Sequence, residues 1–232
     1  MLSQAEVLDQ LEGHTRESRV MDHGFDIDLQ WWQSELDTAG FQSKTKLAQG
    51  GPENSLVLRR DLFKMADEVR NESASVEDFA FMVLVWGSGP SRRNNRARIR
   101  TIIGAQPRAL KAALDLSLED RMASFKAFRN KGRNLFPFLG PSFFSKLMYF
   151  YGAGDPSHGA PIVDLRVLRA LSRTEAGKGI YVGFNYGPQT YARACTIMED
   201  ISSAALTSKQ AGLKDCSPDV VERWAFEAGK PA

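Results

Sequence analysis

Asp164 stands where the apolar pair Ile162 and Val163 meets a segment in which Val167, Leu168 and Leu171 recur at helical spacing, with Arg166, Arg169 and Arg173 on other faces. A carboxylate at that junction accepts hydrogen bonds from the first free backbone N–H groups and complements the helix dipole, so the pattern predicts a helix N-cap. Nothing catalytic is required of it on that ground alone. Upstream, Lys146 lies within "FFSKLMYFY" (143–151), a run apolar on nearly every face and therefore predicted to be a buried helix. A lysine in such a helix either snorkels to the surface along its methylene stem or is held partly desolvated. In the second case its ammonium pKa falls, and a neutral amine near pH 7 is a nucleophile.

The elements that must position these residues read as helices. "SLVLRRDLFKMADEVRNE" puts Leu58, Leu62, Met65 and Val69 on one face, and "SVEDFAFMVLVWGSG" opens on Ser75 with Asp78 three residues on, a helix start, and stops at Gly87, Gly89 and Pro90. A further helix is predicted from "SRRNNRARIRTIIG", with Ile99 and Ile102 on its apolar side and five arginines between residues 92 and 100. In "NLFPFLGPSFFSKLMYFYGAG" a helix is expected to end near Arg133, a tight turn to form around Gly140, and Pro141 to take the first position of the next helix. That is a helix-hairpin-helix reading, whose backbone N–H groups, around Gly140 and Ser142, suit a DNA phosphate. A glycine turn inside any helical core would read the same way. Period-two alternation is almost absent, so the fold class is all-α. "DLQWWQSELDTAGF" is read as one short helix with Trp31 and Trp32 docked on the body, followed by a loop through "AQGGPEN". Residues 1–55 are thus an N-terminal segment packed on a helical domain spanning 56–232.

Composition narrows the class. A chain of 232 residues, 43% hydrophobic, can bury one substantial core or two small lobes. Its net charge of +2 means that any attraction to nucleic acid must come from clusters such as "RRNNRARIR" and "FRNKGRN". Two cysteines, Cys195 and Cys216, are too few for a cysteine-held iron–sulfur cluster. The histidines, His14, His23 and His158, lack HExxH spacing, so no metal or cofactor is expected. The polar start and the short apolar run from Phe79 to Trp86 point away from export or a membrane role, and a reducing cytoplasm is the expected setting.

The succession "FLGPSFFSK" then "PIVDLRVLRAL" resembles the helix-hairpin-helix DNA glycosylase superfamily, and Asn94, Asn95, Arg96, Ala97, Arg98 and Ile99 are similar to the N-N-x-A-R-I turn of its 8-oxoguanine branch. The resemblance implies a two-lobed fold and double-stranded DNA carrying a modified base as partner, bound by a monomer. It implies that Asp164 stabilises positive charge at the sugar C1′ of a flipped nucleotide and that Lys146 attacks C1′ to give a Schiff base, with strand nicking as a further capability. It further implies that Arg98 contacts the partner base left behind and that Arg93, Asn94 and Asn95 line the gap. Phe144, Tyr149, Phe150 or Tyr186 could sandwich the base, although each equally suits the core. The hairpin departs from the family pattern in having one glycine, and two registers stay open. In one, Lys146 is the nucleophile, preceding Asp164 by 164 − 146 = 18 residues. In the other, Ser142 takes the lysine position and water attacks. Oxidised guanine is the expected target. The alternatives are a monofunctional glycosylase for modified bases of foreign DNA and a non-catalytic hairpin protein that binds DNA.

Overall fold

The structure, a computed structural model, describes residues 1–41, 56–104, 106–208 and 211–231. It is mostly helical, with two small antiparallel pairings among the described residues. The loop expected through "AQGGPEN" lies outside the described residues.

The helices begin where their caps allow. Helix α1 (Gln4–Leu11) opens with a full capping box between Ser3 and Glu6, and α2 (Leu29–Thr38) is capped by Asp28. Helix α3 (Arg59–Arg70) buries Leu62 and Val69, leaving Met65 half-buried. Helix α4 (Val76–Ser88) starts as expected, with the Ser75 hydroxyl accepting from the Asp78 backbone N–H at 3.0 Å, and ends at Gly89 with φ 52°. Helices α5 (Asn95–Ile103), α6 (Pro107–Asp115) and α7 (Arg121–Phe128) follow, and Ile99 and Ile102 are buried.

The connection to the next helix corrects the expected hairpin. Helix α7 ends at Phe128, not near Arg133, because Arg129 and Asn130 pair with Asn134 and Arg133 as strands β1 (Arg129–Asn130) and β2 (Arg133–Asn134). Lys131 and Gly132 between them both have positive φ, the geometry of a two-residue hairpin turn. The second turn takes its left-handed residue at Phe138 (φ 64°) rather than at Gly140, whose φ of −79° any residue adopts. Pro141 does open helix α8 (Pro141–Tyr151).

Helix α8 is the pivot of the molecule. It packs on α3 and α4 on one side and on α6 and α7 on another, which is why it is apolar nearly all round. Beyond it, α9 (Leu165–Leu171), α10 (Pro188–Thr207) and α11 (Pro218–Ala228) pack on one another and receive α1. The helical groups share one continuous hydrophobic core. The N-terminal segment is built into it: Trp32 is buried against Phe81, and the short strand Gly24–Asp26 pairs with Leu56–Leu58 immediately before α3. Cys195 and Cys216 are buried free thiols pushed up to about 12 by desolvation, which keeps them protonated and unreactive.

Candidate active site

A double staple holds α8 against the start of α9. The Ser145 hydroxyl donates to the Val163 carbonyl at 3.0 Å and accepts from the Val163 N–H at 3.3 Å, while Tyr186 donates its hydroxyl to the same carbonyl at 2.7 Å. The next residue on each segment is a candidate catalytic group, so the staple brings Lys146 to Asp164. Their charged atoms lie 3.5 Å apart, with side chains only 8% and 13% exposed. The lysine is held rather than snorkelled, since Nζ also donates to the Ser142 carbonyl at 3.0 Å. Asp164 is the predicted N-cap: Oδ1 accepts from Arg166 N–H at 2.9 Å and Val167 N–H at 3.1 Å, leaving Oδ2 to face the lysine. Ser142 enters the site through its carbonyl.

Gly87 explains how the lysine stem fits. A Cβ there would lie 2.9 Å from Lys146 Cδ and 3.3 Å from Phe143 Cε1, so the bare backbone of α4 is the wall against which the lysine packs. Gly87→Ala is therefore expected to displace Lys146 and slow any reaction that depends on it by about tenfold to a hundredfold. DNA affinity should hold. Single-turnover rates beside a binding isotherm check both.

The pair opens into a cleft of about 40 Å³, room for a few waters. Its walls are aromatic: His23, Phe25 and Trp86 meet edge to face, and Phe226 closes another side. Arg59 and Glu222 lie at its base as a buried ion pair at 2.7 Å, each 1% exposed. Phe144, Tyr149, Phe150 and Tyr186, the candidates for sandwiching a base, are instead buried core. The sequence treats His23 only as a histidine without metal-ligand spacing and Trp86 only as the end of an apolar run, and gives no signal for Phe25 or Phe226, because His23 and Phe25 reach the site through a strand pairing and Phe226 through α11.

Burial and the Arg59 charge push His23 down to about 2, and burial also lowers His14 and His158. The unfolded chain binds protons near pH 6.5 that the folded chain refuses. Stability is thus expected to fall between pH 7.5 and 5, with His23 alone contributing about 1–2 kcal/mol after solvent screening. Urea unfolding at the two pH values measures it.

The arginine-rich turn is more internally engaged than expected. Asn94 (φ 61°) and Arg93 are exposed at its tip. Asn95 is buried, its amide donating to the Ser91 carbonyl at 2.8 Å and accepting from Ser88 and Arg98, so it builds the turn instead of facing outward. Arg98 lies 4.1 Å from the Phe143 ring centre and donates to the carbonyls of Phe138 and Arg93, which ties the turn to the α7–α8 connection. Arg92 pairs with Asp28, and Arg96 clasps Glu35 at 2.8 and 2.9 Å.

A mostly helical body with a lysine–aspartate pair in an aromatic cleft fits the glycosylase class. A family model described as "Putative 8-oxoguanine DNA glycosylase OGG-like protein" matches residues 18–226, and the chain belongs to that family. Membership puts it among DNA glycosylases, with DNA as partner. No curated protein and no solved structure matches the chain. Among the described residues no helix is long and apolar enough to cross a membrane, and no cluster of histidine, cysteine and carboxylate side chains could hold a metal ion.

Proposed function

We propose that the protein excises a modified base, oxidised guanine first among them, from double-stranded DNA, with Asp164 and Lys146 as its catalytic residues. The observation that carries this reading is the 3.5 Å Lys146–Asp164 pair at the mouth of an aromatic cleft. As the glycosidic bond breaks, its electrons leave with the base and positive charge builds on the sugar. A fixed, largely desolvated carboxylate stabilises that charge more than it stabilises the ground state. The Lys146 amine, once it has given up a proton, forms the new bond to C1′, and the departing base takes up a proton. Ring opening then yields a Schiff base from which strand nicking can follow.

The nucleotide must leave the stack for this, and the cleft is too small for a purine until its walls part. Arg93, Asn94, Lys131 and Arg133, all exposed, would meet the DNA, together with the backbone around Gly140 and Ser142. The test is excision from a duplex carrying 8-oxoguanine opposite cytosine, with abasic sites revealed by hot alkali. The reading expects cleavage at the lesion and none in unmodified duplex. Salt-sensitive binding without cleavage, on this lesion and on a panel of other modified bases, would instead favour a hairpin protein that binds DNA without chemistry.

A further inference from the structure

Phe138 stands in a conformation that a phenylalanine resists. Its φ of 64° lies in the left-handed region, where a side chain crowds the following carbonyl and glycine does not, yet the ring is 60% exposed and so adds little to the core. Leu139 beside it, 4% exposed, is the residue that anchors this connection to the interior. Glycine at position 138 would serve the fold better. A strained and exposed aromatic ring therefore needs a reason outside the fold.

Its surroundings say what the ring would meet. The Arg98 guanidinium donates to the carbonyls of Phe138 and Arg93, each at 3.2 Å, so the α7–α8 connection and the arginine-rich turn present their tips side by side. Arg93 and Asn94 are exposed on one tip, and Lys131, Arg133 and Leu135 on the connection that carries Phe138. Neither residues 91–114 nor residues 129–154 contain an aspartate or a glutamate, and the carboxylates that reach the turn from outside, Asp28 and Glu35, are paired with Arg92 and Arg96. Such a cationic surface attracts a polyanion, and an aromatic ring set in it offers a face on which bases stack. Arg98 also covers the Phe143 ring, whose edge lies over Gly87 and whose centre is 5.8 Å from Lys146 Nζ. Phe138 is thus linked to the lysine through Arg98 and Phe143.

Resting on the glycosylase reading above, we propose that Phe138 is a wedge: its ring enters the duplex beside the extruded nucleotide and stacks on the adjoining base, which makes the stack easier to open. The connection before α8 then does more than hold a phosphate. Its left-handed backbone turns the ring out to solvent, and the Arg98 bond fixes the tip before DNA arrives, so little ordering remains on binding.

The test measures binding of the parent, Phe138→Gly and Phe138→Trp to two duplexes at several salt concentrations. One duplex is intact and the other carries a tetrahydrofuran abasic analogue, which leaves a gap in the stack. The parent should prefer the gapped duplex. Phe138→Gly should bind that duplex about 10- to 100-fold more weakly, the range of one base–aromatic contact, and lose much less on the intact one. Its salt slope should match the parent's, because the ring neutralises no phosphate. Glycine relieves the backbone, so Tm should hold or rise, and weaker binding cannot then be assigned to unfolding. Phe138→Trp should keep the preference. A Phe138→Gly protein that binds both duplexes as the parent does overturns the wedge and leaves the glycosylase reading intact. So does a parent indifferent to the gap, whatever the variants do. A phenylalanine-dependent preference in a parent that excises no modified base would uphold the stacking role and overturn the glycosylase reading instead.

Discussion

Asp164→Asn should lower excision by about 10²- to 10³-fold, the usual cost of removing one preorganised electrostatic group from a reacting centre. The substitution separates two roles that one carboxylate holds. As a cap, Asp164 uses Oδ1 on the Arg166 and Val167 N–H groups, and an asparagine oxygen caps a helix nearly as well. As a catalytic group it uses its charge, which asparagine lacks. The variant should therefore melt within a few degrees of the parent and bind lesion DNA as tightly, while single-turnover excision collapses. A variant that excises at the parent's rate would leave Asp164 as a cap and nothing more.

The second large effect is on stability. Glu222→Leu should cost about 3–5 kcal/mol, because it leaves the Arg59 cation buried with its ionic partner gone, and a guanidinium does not discharge. In a chain of this size that is a fall in Tm of roughly 10 °C. Arg59→Met should cost distinctly less. Burial already pushes the Glu222 carboxyl above its ordinary range, so without Arg59 it takes a proton and becomes neutral. Chemical denaturation of the two variants measures the asymmetry, and equal losses would mean that the pair is not the electrostatic unit described above.

The parts of the site that lie in one stretch of chain were legible. Ser75 before Asp78, Pro141 before an apolar run and Asp164 before a helical repeat are local signals, and each marks the helix start it predicts. Lys146 stood out because a charge in an all-apolar helix demands a reason. Other features depend on distant chain and had no local signature. Arg59 and Arg60 are adjacent and identical, yet the first is buried against Glu222, 163 residues away, and the second pairs with Glu17 and Asp22 at the surface. Gly87 reads as a helix stop, and only the approach of Lys146 shows what its missing side chain is for. The "NKGR" hairpin has no signal of its own in the sequence, because its four-residue pairing is shorter than any periodicity can register. Asn94 and Asn95 are adjacent and identical in a charged turn, and burial alone separates Asn95, which builds the turn, from Asn94, which is exposed at its tip.

The central claim is that Lys146 and Asp164 form one reacting unit, and borohydride trapping tests it most directly. The parent, Lys146→Gln and Asp164→Asn would each be incubated with duplex DNA carrying 8-oxoguanine opposite cytosine, then reduced. A stable protein–DNA adduct in the parent, absent in Lys146→Gln and strongly reduced in Asp164→Asn, is the expected result. An undiminished adduct in Lys146→Gln, or excision by the parent without any adduct, would contradict it and remove Lys146 from the role of nucleophile.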